Sequence, residues 1–344
     1  MRQSASQPGS FVLTLLLVVN LFLLPAAIPA QPGKGKSGGG GQKTTFSGRA
    51  TVVNAQLAGL PAIILSDTGA LDSTGGEKEA SLLEHETPGV LTANVLHATT
   101  VGNGNRSRAE ASVVDLNLTV GGNTIFADFL AARAEAVCSA GEGATGNSEI
   151  ARLVINGQEV AVTGEPNQTV DLPVGRVIIN EQTSARRGDI TVNALHVIIP
   201  GVADVIIASA HADITCGKAS CPGKDFVTGG GWITAPSGDR GTFGVGGGLK
   251  GRDLWGHLVY IDHGARVKIS ARTPTAYTAE GNSRTITWAG NCEVDGRPGQ
   301  TCQVTVTDNG EPGRGQDAFT ITAGGYTAGG TLAGGNIQLH KPCK

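Results

Sequence analysis

Ala131-Ala132-Arg133-Ala134-Glu135-Ala136-Val137-Cys138 recurs as Ser209-Ala210-His211-Ala212-Asp213-Ile214-Thr215-Cys216, small residues running into a cysteine each time. A third echo without cysteine, Arg108-Ala109-Glu110-Ala111, lies upstream. Side chains alternate along a strand, so Ala132, Ala134, Ala136 and Cys138 share one face while Arg133 and Glu135 take the other. The second copy sorts the same way, with Ala210, Ala212, Ile214 and Cys216 opposite His211 and Asp213. Two similar strands with an inward cysteine at the same place predict a disulfide, Cys138–Cys216, across a β core. An exported, all-β protein follows from that reading.

The amino terminus points to the same compartment. Arg2 is the only charge in the first thirty residues, an apolar run covers Phe11 to Leu24, and small residues lead from Pro25 to Ala30. This pattern predicts a secretory signal peptide over 1–30, cut near Ala30, with an uncleaved anchor as its rival. The run is short of the roughly 20 apolar residues a membrane span needs. Residues 31–43 are a Gly/Lys-rich tether, expected to be flexible. Beyond Ala30 there are 25 Lys+Arg against 29 Asp+Glu, which gives no reason to expect nucleic acid or an anionic membrane as partner. No later segment is apolar enough to cross a bilayer, and His340 to Lys344 carries neither a hydrophobic tail nor a sorting motif. Release into the medium or periplasm is therefore expected over wall attachment.

From 44 to 216 the pattern is of strands broken by turn clusters. Asn156-Gly157, between Leu153-Val154-Ile155 and Glu159-Val160-Ala161-Val162, is the strongest hairpin signal. Another strand is expected over Arg176 to Gln182, and a partial helix within Lys78 to Glu86. Residues 217–224 form a linker rich in Gly, Lys, Ser and Pro. Beyond it, in 225–344, lie all three tryptophans and all three tyrosines, so a second β domain with an aromatic core is expected beside an aliphatic first one. The alternation of His257, Val259, Ile261 and His263, of Cys302, Val304 and Val306, of Phe319 and Ile321, and of Ile337 and Leu339 marks its strands. The expected architecture is two β-sandwich-like domains after a signal peptide and tether.

Six cysteines, an even number, fit three disulfides in an oxidising compartment. Cys292 and Cys302 bracket a turn-rich segment and suit a hairpin bridge, and Cys221 with Cys343 would clasp the ends of the second unit. Other pairings remain open.

Residues 44 to 216 resemble the choice-of-anchor P family of bacterial exported proteins. The matching features are Asn180-Glu181-Gln182, then Ile190 to Val197 (ITVNALHV), then Ser209 to Cys216. Residues 225 to 341 resemble the domain often found downstream of that family, through Thr228-Gly229-Gly230-Gly231-Trp232-Ile233, Val306 to Gly313 and Gly334 to Lys341. The resemblance implies a cell-surface or secreted protein and transfers no catalytic residues.

Site chemistry is sparse. His97 and His196 hold equivalent places in Asn94-Val95-Leu96-His97 and Asn193-Ala194-Leu195-His196, so a metal site would need them to converge with His211 or a carboxylate. Asp308, Glu311 and Asp317, with Asn309, could offer oxygens to calcium, although Asp-Asn-Gly is also a turn signal. No other cofactor is expected. The clusters Gly229-Gly230-Gly231 and Gly246-Gly247-Gly248 read as turns, and no nucleophile elbow or His-Glu-x-x-His is present. Trp232, Trp255, Tyr260, Tyr277 and Tyr326 could present flat faces to sugar rings. The leading expectation is a non-enzymatic, exported structural or adhesion-type module whose partner is a surface polysaccharide or another exported protein. A carbohydrate-binding module is second, and a secreted hydrolase with an unrecognised site is third.

Overall fold

The duplicated Ala-rich segments fold as strands on opposite sides of one sandwich. In the computed structural model, which describes residues 42–139, 141–218, 225–250 and 253–341, the first half contributes twelve strands. These are β1 (Thr45–Leu57), β2 (Ile63–Asp67), β3 (Gly76–Thr87), β4 (Leu91–Asn103), β5 (Arg106–Val120), β6 (Asn123–Cys138), β7 (Glu142–Ile155), β8 (Gln158–Val160), β9 (Gln168–Asp171), β10 (Arg176–Thr183), β11 (Asp189–Ile199) and β12 (Ala203–Thr215). One six-stranded sheet runs β2-β1-β12-β11-β10-β9 and the other β3-β4-β5-β6-β7-β8. Ala132, Ala134 and Ala136 of β6 and Ala210, Ala212 and Ile214 of β12 are all buried in the core between them. The Cys138–Cys216 disulfide joins the end of β6 to the residue after β12, tying sheet to sheet.

Turn chemistry sets the register as expected. Asn156 and Gly157 (φ 50° and 78°) make the two-residue link between β7 and β8, where Ile155 faces Gln158. The segment expected to hold a partial helix, 78–86, is instead part of β3, paired with β4 from Gly76↔Gly102 to Thr87↔Leu91. Glu79 and Ser81 lie on the same side of this strand, a side that another part of the molecule covers.

The second half contributes β13 (Phe226–Thr234), β14 (Arg240–Lys250), β15 (Asp253–Asp262), β16 (Val267–Arg272), β17 (Ala276–Glu280), β18 (Ser283–Val294), β19 (Arg297–Thr307), β20 (Ala318–Ala323), β21 (Tyr326–Thr331) and β22 (Gly334–His340). They form one ten-stranded sheet, β21-β20-β19-β18-β16-β15-β14-β13-β22, with β17 on β18. The sheet curls over an aromatic core in which Trp288, Tyr260, Phe243 and Phe319 are buried, and Phe243 stacks on Phe319 at 3.9 Å. Cys292–Cys302 bridges β18 and β19 beneath the turn at Asp295-Gly296 (φ 49° and 74°). Cys221, Cys343, the signal peptide and most of the tether and linker lie outside the described residues. Gln42 and Lys43, read as tether, already pair with Lys218 at the start of the linker.

The acidic turn residues close the curl. Asp317 accepts the backbone N–H groups of Asn309 and Ile337 at 2.9 and 2.8 Å, and Asp308 accepts that of Leu339 at 3.0 Å. Ile337 and Leu339 belong to the edge strand β22, so two carboxylates do the work of a missing neighbour strand.

Candidate functional site

The outer face of the β3–β8 sheet is where the two halves meet. It alternates with the aliphatic core, so it carries Glu79, Ser81, His97, Glu110 and Arg133, residues that a free sheet would give to water. Strands β13, β14 and β15 cover it. A small apolar patch lies at the centre, where Val95, Val114, Phe129 and Ala131 meet Val259 and Ile261, with Trp232 packed alongside. Val95 and Asp115 hold left-handed backbone (φ 42° and 47°), a strained choice for valine, on adjacent strands. A register shift in the β4–β5 ladder lies at this crease.

Among the described residues, four acid–base pairs cross the meeting face, each with its basic partner in the second half. Lys268 reaches Glu84 at 2.5 Å, Arg240 reaches Asp128 at 2.7 Å, His263 reaches Asp115 at 3.0 Å, and His257 reaches Glu79 at 2.7 Å. Burial works against the Asp115 charge, yet the hydrogen bonds from His263 and Asn94 hold its carboxyl below the usual carboxylate range.

The glycine clusters expected to be turns are strand interiors. Gly229-Gly230-Gly231 sits in mid-β13 opposite Val245, Gly244 and Phe243 of β14. The reason is close approach. A Cβ at Gly244 would stand 3.0 Å from His97 Cβ and Cγ, one at Gly246 only 2.7 Å from His257 Cε1, and one at Gly230 only 2.9 Å from Ser112 Oγ. Two imidazoles lie where two strands have given up their side chains.

Those imidazoles form a buried cluster at the seam. His97 and His257 are 1% and 5% exposed, with ring centroids 5.3 Å apart. His97 Nδ1 meets Ser81 Oγ at 3.0 Å and His257 Nε2 at 3.4 Å. Burial, then the neighbouring His257, pushes the His97 pKa down to about 3, so its ring is neutral near pH 7. Two cavities of about 430 and 570 Å³ flank the cluster, and Glu79, His257 and Arg272 belong to the walls of both.

A second polar centre lines a cavity of about 290 Å³ between Arg108, Glu110, Arg133 and Glu135 on one side and Thr228, Glu311 and Gln338 on the other. Arg133 pairs with Glu149 at 3.1 Å and Glu110 at 3.5 Å. Burial pushes Glu110 up to about 7, against the pull of Arg133. His340, stacked on Phe226 at 4.3 Å and bonded to Thr228 Oγ1 at 3.0 Å, is pushed down to about 3 by burial and then by Arg108.

The structure places the sequence-derived candidates as follows. Cys138–Cys216 and Cys292–Cys302 are disulfides. The convergence of His97 with His196 and His211 that a shared metal site would need is not formed. His196 bonds Glu181 and Asp204, and His211 bonds Asp189, all on the sheet away from the seam. Of the oxygens offered to calcium, those of Asp308 and Asp317 already accept backbone amides, and Glu311 accepts Gln338 Nε2 at 2.8 Å. Tyr260 is buried, and Trp232, Trp255, Tyr277 and Tyr326 are half-buried. Trp232 lies under Arg240, Trp255 beside Phe226, Tyr277 on Asp225, and Tyr326 on Tyr260 and Asp262.

No family model matches the chain, and no curated protein matches it. Among solved structures, intact Ap-TbpB with its N and C lobes aligns over 86% of this chain and 77% of its own, at 9% identity and a TM-score of 0.14. Transferrin binding protein B from Haemophilus parasuis Hp5, a vaccine antigen, aligns with the same coverage, identity and TM-score.

Proposed function

We propose that the chain is an exported, non-enzymatic structural or adhesion-type module that leaves the cytoplasm behind a cleaved leader. The observation that carries this reading is the Cys138–Cys216 bridge between the two sheets of the sandwich, a covalent brace that suits an oxidising compartment. The carboxylates of Glu84, Asp115 and Asp128 support it too, because they are paired with basic side chains within the fold. A contact surface is available at the far tip of the sandwich, where Leu60 and Val202, 54% and 44% exposed, line an apolar groove with Leu57 and Ile199. Another exported protein fits that groove better than a polysaccharide does.

The full chain, expressed with its leader, should be recovered outside the cytoplasm, start near Gln31, and show both bridges by peptide mass mapping. Replacing Cys138 and Cys216 with serine should lower stability by about 4 kcal/mol, the chain-entropy figure for a loop of this size. Hydrolase activity that co-purifies with the protein and disappears on changing one carboxylate would overturn the non-enzymatic reading.

A further inference from the structure

We infer that Glu79, His97 and His257 form a binding site for one divalent first-row transition metal ion, zinc being the reference case, held between the two halves. Each of the three offers a ligating atom within 4.8 Å of the other two. They come from β3, β4 and β15, so an ion there would join the sandwich to the curled sheet.

Unmet bonding capacity is the first argument. Glu79 Oε2, His257 Nδ1 and His97 Nε2 are all buried without an aligned hydrogen-bond partner, even though the first two stand 2.7 Å apart. Buried polar atoms are rarely left so, and an ion is one of the standard explanations. The donor set is the second argument. Two imidazoles and one carboxylate suit zinc and its neighbours, whereas calcium and magnesium prefer oxygen alone. The third is support around the ligands. Ser81 bonds the His97 ring at 3.0 Å, the kind of outer contact that orients a ligating imidazole. Gly244 and Gly246 leave room for both rings, and the flanking cavities give an ion and a completing water a way in.

The second group of similar composition, Asp189, His211 and Asp213, lies on the other sheet and serves as an internal control. Its carboxylates are already engaged by Arg186 and His211.

Untagged full-length protein, stripped with a chelator, should take up one zinc ion per chain by calorimetry and retain it through gel filtration. Cobalt should give the visible absorption of a site with nitrogen ligands. Glu79→Gln, which keeps the side chain's shape, should weaken zinc binding by more than the roughly 10- to 100-fold that loss of an outer contact costs, as should His257→Gln. His211→Ala should leave it unchanged. Zinc should raise the melting temperature of the parent protein and not of Glu79→Gln, since an ion that binds only the folded chain stabilises it. Absence of stoichiometric uptake, or uptake that Glu79→Gln and His257→Gln leave intact while His211→Ala abolishes it, would sink the assignment.

Discussion

The β3–β8 sheet has two faces, and they are sealed by different chemistry. Toward the other sheet of the sandwich it presents Leu96, Ala111, Val113, Leu130 and Ala132, all fully buried among aliphatic side chains. Toward the second half it presents carboxylates paired with bases there, the neutral imidazole of His97 and a small apolar patch, laid against strands rich in glycine. Aliphatic burial is non-directional and scales with area, so the inner seam tolerates small shifts of register and angle. Ion pairs and imidazoles act only at set distances, and a buried pair roughly cancels its own desolvation. The inner seam therefore supplies stability, and the outer one supplies a defined docking geometry.

The sharpest way to break that contrast is to cut volume from the inner seam. Leu130→Ala, in the inner seam, should cost about 2–5 kcal/mol in urea unfolding, through lost transfer energy and the cavity left behind. A cost below about 1 kcal/mol would mean that the sheets are loosely packed and that the inner seam is not the stabilising one.

That inner seam was legible in the sequence because strand periodicity reports a face buried against aliphatic neighbours. Ala132, Ala134 and Ala136, the Asn156-Gly157 turn and the Cys138–Cys216 pair all follow from residue type and spacing. The outer seam was not legible, for a physical reason. Glu79 and His97 look the same in a list whether water or another domain covers them, and His257, which meets both, lies 160 residues from His97. The one available signal was glycine in the middle of strand patterns. Gly229 to Gly231 and Gly246 to Gly248 alternate with Phe, Val, Thr and Trp, a context that marks close approach more than a turn. Val95 with a left-handed backbone carries no sequence signal, since valine is a poor choice there and only the tertiary contact holds it.

Proton linkage sharpens the comparison, because only the outer seam titrates. Glu110 holds its proton up to about pH 7 in the folded chain against an ordinary value of 4.5, so the folded state binds the extra proton between those limits. Its contribution is therefore full at low pH and lost as pH rises through 7. His340 runs the other way, at about 3 folded against 6.5, and costs stability as pH falls below 6.5. Glu110→Gln should gain on the parent by about 3 kcal/mol between pH 5 and pH 8, since each tenfold difference in proton affinity between folded and unfolded chain is worth about 1.4 kcal/mol. His340→Gln should flatten the acid limb. Parallel stability–pH curves for parent and Glu110→Gln would show that the cavity beside Arg133 is well solvated and that the seam is looser than its contacts imply.

The smallest effect belongs to the rim. Lys268 and Glu84 touch at 2.5 Å across the two halves, yet their side chains are 44% and 45% exposed. Water screens such a pair and two long side chains lose freedom to make it, so exposed pairs contribute about 0–1 kcal/mol. Lys268→Ala should leave the unfolding free energy within that range, and adding salt should shrink even that. The pair's distance is as short as that of any crossing pair, which is why the test is informative. A loss well above 1 kcal/mol would mean that contact distance, and not burial, ranks the crossing pairs, and the division of labour between the two faces of the sheet would have to be redrawn from the rim inward.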